Sequence, residues 1–118
     1  MSLRGLLPLL AERAEFRRLR ERLAPGAAAP LLSGVTEAAK PYLVAALAVA
    51  LDRPVVYVTR DQEGAELATE AIVGLVGRDI PVLPYADRDA LPYERLMPDA
   101  QSVKTRMNVL TALTQSAL

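Results

Sequence analysis

Hydrophobic residues recur with helical spacing in the first part of the chain. The repeat consists of Leu9, Phe16, Leu19 and Leu23, and arginines fill most of the other positions. One face is apolar and the others are charged, which predicts an amphipathic helix over residues 4–23. Ala24-Pro25-Gly26 should end this helix, so we expect residues 1–26 to form an N-terminal helical segment.

Three short apolar runs bounded by turn residues predict β-strands further along the chain. They are Leu31-Leu32, Val55 to Thr59 and Ile80 to Pro84. The second run is β-branched and unbroken by charge, as expected of a central parallel strand. The prolines of the third run favour an edge position, because proline cannot donate a ladder hydrogen bond.

Helical patterns separate and follow these runs. Tyr42 to Leu51 is apolar on every face, so we expect a helix there that is buried almost all round. Pro41 suits the first helical position. Asp61 is a good N-cap for a helix that ends between Gly74 and Gly77. The inner stripe of that helix is predicted to be Ala65, Ala68, Ile72 and Leu75. A last helix from Ser102 should carry Val103, Met107, Leu110 and Ala117 on one face.

The alternation of strands and helices predicts the fold class. Such an order is typical of parallel strands joined by right-handed crossovers. We therefore expect an α/β fold over residues 27–118, with a short parallel sheet flanked by helices. The chain ends on a helix that would normally lead into a further strand, so we expect this domain to be partial.

Composition narrows the chemistry that the chain can perform. The 118 residues are 52% hydrophobic, carry no net charge and include neither cysteine nor histidine. Thiol chemistry, disulfides, imidazole bases and nearly every zinc site are thereby excluded. No basic stripe marks a nucleic-acid binder. No apolar run reaches the ~20 residues of a membrane span. We expect a cytoplasmic protein.

A degenerate phosphate-binding loop follows the first predicted strand. Against the pattern G-x-x-x-x-G-K-[ST], Gly34 and Lys40 are in register, but Ala39 replaces the second glycine and Pro41 the hydroxyl residue. The methyl group of Ala39 occupies space that the phosphates need. Pro41 removes both a backbone donor and the magnesium ligand. We expect no cofactor to bind at this loop.

The segment after the third predicted strand resembles a known family. Asp87 to Asp99 reads Asp-Arg-Asp-Ala-Leu-Pro-Tyr-Glu-Arg-Leu-Met-Pro-Asp, and Arg106 to Leu113 continues as a leucine-rich helix. This is similar to the N-terminal module of the bacterial transcription-repair coupling factors (Mfd), which show a D-x-L-P-Y-E-x-x-x-P pattern. The motif positions are Leu91, Pro92, Tyr93, Glu94, Pro98 and Arg106. The resemblance covers roughly residues 4–118.

The resemblance implies a fold and a function. The family module is similar to the first domain of the excision-repair helicase UvrB, a P-loop, helicase-type fold, but has lost the ATPase motifs. The intact factor is an ATP-driven translocase on double-stranded DNA that displaces stalled RNA polymerase and recruits UvrA. Its ATP and magnesium belong to motor domains beyond this chain. By itself the chain should bind neither DNA nor UvrA tightly, and self-association is the interaction that we expect of it.

The residues by themselves are also compatible with two other classes of protein. One is a small NTPase that uses the loop at Gly34, and the other is the ATP-binding segment of a UvrB-like helicase subunit. The second would need Gly-Lys-Thr where this chain has Ala39, Lys40 and Pro41. We interpret the carboxylates of the proline-rich loop, Asp87, Asp89 and Glu94, as solvated. Tyr93 is predicted to pack and pin that loop.

Overall fold

Helices account for all the regular secondary structure in the part of the chain that the computed structural model describes. The described residues are 3–87, 93, 95, 97 and 99–116. The α-helices are α1 (Leu7–Ala11), α2 (Ala14–Arg22), α3 (Lys40–Leu51), α4 (Gln62–Val76) and α5 (Ala100–Ser116). Short 3₁₀ turns precede α1 at Arg4–Leu6 and α3 at Glu37–Ala39.

The predicted α/β fold is wrong: the described residues contain no β-strand and no sheet. The three apolar runs connect helices without pairing with one another. Leu31 is 94% exposed, while Tyr57, Ile80 and Val82 pack directly against the helices. Two residues make a very short strand, and prolines deprive the third run of donors. Parallel pairing is also the weaker of the two kinds per residue, so packing on the helices prevails here.

The predicted N-terminal helix is divided in two. Arg13 has an extended backbone with ψ near 140°, which ends α1 and begins α2. Because the chain bends here, the apolar residues of the predicted helix do not all lie on one face. Leu7, Phe16 and Leu19 are buried, whereas Leu9 is 60% exposed.

Helix α3 is the element on which the core is assembled. It contacts α1, α2 and α4. Ala45 is fully buried and Ala46 is 3% exposed, so their small side chains let neighbouring helices come close. Asp52 ends the helix in the left-handed conformation, with φ of 48°. The prediction that this helix is buried almost all round holds only in part, because Val49 is 43% exposed.

Helix α4 agrees with its predicted pattern. Asp61 caps it by accepting a hydrogen bond from the Gly64 N–H at 2.8 Å. Of the four predicted inner residues, Ala68, Ile72 and Leu75 are buried, together with Val76, and Ala65 is half-buried. Gly77 ends the helix with φ of 71°, a conformation that glycine adopts without strain.

Helix α5 lies against the other elements through few side chains. None of its described residues is buried, and its predicted inner residues Val103, Met107 and Leu110 are 44%, 55% and 46% exposed. Ala117, the fourth member of the predicted face, lies outside the described residues. Packing of α5 therefore depends on polar contacts near its first turns.

Candidate functional site

The degenerate phosphate-binding loop leads into the first turn of α3. Gly34 forms a bend with φ of 77°, and an added Cβ there would meet open space. After it, Glu37–Ala39 makes a 3₁₀ turn in which the Ala39 N–H donates to the Thr36 carbonyl at 3.0 Å. Pro41 lies at the start of α3, where it lacks an N–H to offer a ligand. The loop therefore has the shape of a helix entry.

Lys40 is engaged with a carboxylate of its own loop. Its ammonium group donates a hydrogen bond to Glu37 Oε1, three residues earlier. The hydrogen bond to Glu37 raises the pKa of Lys40 above its usual value. Desolvation opposes this rise, and the charges of Glu37 and Tyr57 add to it. A phosphate approaching Lys40 would also meet the negative charge of Glu37. The arrangement therefore disfavours anion binding.

The family-motif positions fall into two groups. Leu91, Pro92, Glu94 and Pro98 lie outside the described residues, as does the carboxylate of Asp89. Tyr93 is described and is 82% exposed, so it is not the packing anchor that the sequence predicted. An exposed ring is available for contact with a partner.

Arg106 holds α5 against the segment before the motif loop. Its Nη1 donates to the Ala86 carbonyl at 2.9 Å, and its guanidinium lies 4.5 Å from the centre of the Tyr85 ring. Ser102 adds a hydrogen bond from its hydroxyl to the Asp87 carbonyl at 3.4 Å. Sequence reasoning identified Arg106 only through the family pattern. Its partners are some 20 residues away along the chain, beyond the reach of local spacing.

An open cleft of about 430 Å³ lies between the first turns of α4 and α5. Its lining consists of Gln62, Glu66, Pro84, Ala86, Asp87, Asp99, Gln101, Ser102 and Thr105. Acid–base catalysis needs carboxylates held in unlike environments, and the lining acids Glu66, Asp87 and Asp99 are all exposed. The cleft offers ordinary solvated hydrogen-bonding groups. The sequence did not predict it, because three separate segments contribute its lining.

Metal and membrane sites are not found in the described part of the chain. No group of three or more acidic residues there could hold a metal ion. None of the described helices is long and apolar enough to cross a membrane.

Comparison with known proteins adds no further constraint. No protein-family model matches the chain, and neither a curated protein nor a solved structure is significantly similar to it.

Proposed function

We propose that the chain is a non-catalytic, partner-binding segment of a bacterial transcription-coupled DNA repair factor. The observation that carries the non-catalytic part is the pairing of Lys40 with Glu37. The one cation of the loop is thereby neutralised, while Pro41 withholds the hydroxyl that magnesium would need. The alternative readings as an NTPase or a UvrB-like ATP-binding segment need both groups.

The repair role is supported by the resemblance of the Asp87–Asp99 loop and the following helix to the coupling factors. In this proposal the intact factor works in the cytoplasm on double-stranded DNA, RNA polymerase and UvrA. ATP and magnesium serve its motor domains and none of the residues of this chain. The chain contributes a docking surface, and the exposed Tyr93 ring in the motif loop is a candidate contact.

Isothermal titration with Mg-ATP tests the non-catalytic part. We expect no binding to the chain, and none to a Glu37→Gln variant in which Lys40 is released, because the missing donors are not restored. The double variant Ala39→Gly, Pro41→Thr should also gain little, since a nucleotide site needs its other walls. A dissociation constant tighter than ~100 μM, or roughly −5.5 kcal/mol, that Lys40→Ala abolishes would overturn the proposal.

A genetic experiment tests the repair part. In the organism that encodes the chain, in-frame removal of the coding sequence for residues 4–118 should reduce repair of the transcribed strand after ultraviolet damage. Repair of the other strand should stay at its normal rate, which serves as the internal control. Unchanged preference for the transcribed strand would contradict a role in coupling repair to transcription.

A further inference from the structure

One side of α2 carries a row of arginines. Arg13, Arg17 and Arg20 run from the N-cap to the last turn and are spaced by four and three residues, so they lie along one side of the helix. All three are exposed, whereas Phe16 and Leu19 are buried and hold α2 on the core. We call these three arginines the basic row.

A row of glutamates on α4 has the matching spacing. Glu63, Glu66 and Glu70 are spaced by three and four residues, and all three are exposed. Helical spacing sets this acidic row opposite the buried stripe of α4, on the outward side of the helix. Leu67 lies among the glutamates and is 61% exposed. The outward side of α4 therefore carries three negative charges and an uncovered apolar side chain.

Four of these six charged groups have no partner among the described residues. Arg17 and Arg20 make no ion pair or hydrogen bond through their side chains there, and neither do Glu63 and Glu70. Other cations of the chain do find carboxylates within the same molecule; they are Arg4, Lys40 and Arg60. The unpaired charges are thus concentrated on these two helices.

The other two members of the rows keep most of their capacity to bind. Arg13 approaches Glu15 only to 3.8 Å, and the two side chains are 68% and 69% exposed. Glu66 accepts a hydrogen bond from the neutral amide of Gln62 at 3.2 Å, which leaves its negative charge uncompensated. No described ion pair joins the two rows within one copy, so each row is open to a partner molecule.

We propose that the basic row of α2 docks on the acidic row of α4 in a second copy of the chain. When the two helices run antiparallel, the spacing of four and three coincides with the spacing of three and four. The opposite residues are then Arg13 with Glu70, Arg17 with Glu66 and Arg20 with Glu63. A guanidinium group binds a carboxylate through two parallel hydrogen bonds, so arginine suits this contact. Because each copy has both rows, two copies can pair reciprocally.

The same contact would cover Leu67. The stems of arginine side chains are apolar and pack on such a residue while their charged ends reach the neighbouring carboxylates. Exposed ion pairs contribute little individually, so the association should be weak and should depend on the whole set of pairs. Salt screens exposed charges, and the association should therefore weaken as the ionic strength rises. The proposal does not depend on the repair role.

Light scattering at ~100 μM protein tests the association, because a dissociation constant of ~100 μM would leave half of the chains in dimers. We expect the native chain to associate in ~20 mM salt. It should be monomeric in ~500 mM salt, where the Debye length falls to about 4 Å. A monomer at both salt concentrations, or an assembly that salt does not dissociate, would overturn the proposal.

Charge reversal tests whether the two rows bind each other. The basic-row variant is Arg17→Glu, Arg20→Glu, and the acidic-row variant is Glu63→Arg, Glu66→Arg. Each variant by itself should be monomeric in ~20 mM salt, because like charges then face each other. An equal mixture should associate again, since the exchanged charges are complementary in the mixed pair. Misfolded variants would not recover on mixing, and a mixture that stays monomeric would overturn the pairing of the rows.

The variant Arg78→Glu, Lys104→Glu is the matched control. It reverses two exposed cations that lie outside both rows, and it changes the net charge by the same amount as the basic-row variant. It should still associate in ~20 mM salt. If it loses association as completely as the basic-row variant, net charge governs the effect and the proposal is overturned. A far-ultraviolet spectrum checks that each variant is folded.

Discussion

Phe16 and Tyr93 are aromatic residues at opposite extremes of burial. Phe16 is the largest buried side chain of the core, and Tyr93 is the most exposed tyrosine among the described residues. Their exposed fractions are 4% and 82%. Phe16→Ala should lower the free energy of unfolding by about 3–5 kcal/mol, because a cavity is left where the ring packed. Tyr93→Ala should change it by less than ~0.5 kcal/mol, as for other surface substitutions. Urea titration of the two variants measures both values, and a large loss for Tyr93→Ala would mean that its ring packs after all.

Asp61 couples the stability of α4 to pH. The hydrogen bond from the Gly64 N–H, and then the one from Arg60, lower the pKa of its carboxyl group. Its contribution to stability is thus fully present above the unfolded pKa of about 3.9 and is lost as the pH falls through the lower folded value.

The variant Asp61→Asn provides the comparison, because asparagine also caps helices but does not titrate near this pH. The native chain should melt at a higher temperature than the variant at pH 7, and the difference should shrink below about pH 4. Other carboxyl groups titrate in both proteins and cancel in the difference. A difference that stays constant from pH 7 to the acid range would show that the charge of Asp61 does not stabilise the cap.

At the scale of elements, α5 depends on Arg106 for its position. Because none of its described residues is buried, loss of the bond to Ala86 and of the contact with Tyr85 should release the helix while the core stays folded. Arg106→Ala should therefore speed amide hydrogen exchange throughout α5 and leave that of α3 and α4 unchanged.

Lys104→Ala is the matched control for this prediction. Lys104 is an exposed cation on the same helix, and its removal should leave exchange in α5 as it is in the native chain. Arg106→Lys is informative as well, because an ammonium group cannot reproduce the planar stacking of guanidinium on a ring. Unchanged exchange in Arg106→Ala would mean that other contacts hold the helix.

At the scale of the whole molecule, charge balance argues against DNA binding by the chain. Its 14 basic and 14 acidic residues cancel. The arginines of α2 are exposed, but Glu15 and Glu21 are exposed on the same helix. Since affinity for DNA comes largely from neutralised phosphates, fluorescence anisotropy with a short duplex should show no binding at ~150 mM salt. The double variant Glu15→Gln, Glu21→Gln removes the negative charges that lie among these arginines, so it should gain weak DNA binding that salt abolishes. Tight binding by the native chain would contradict the expectation.

Much of the helical structure could be predicted from the sequence by itself. The Asp61 cap, the inner stripe of α4, the start of α3 at Pro41 and the loss of phosphate-binding groups all depend on residues within a few positions of one another. Local spacing and side-chain chemistry are sufficient for such features.

Only the tertiary structure decided whether the apolar runs pair, where the first helix bends and what holds α5. A strand needs a partner that is distant in sequence, and here Tyr57, Ile80 and Val82 gain more from packing on the helices than from pairing with one another. The bend at Arg13 lets Leu7 and Phe16 both join the core cluster with α3, and Arg106 finds its partner 20 residues earlier in the chain. These outcomes depend on competition among contacts between residues that are distant in sequence. The local pattern of residues carries no information about those contacts.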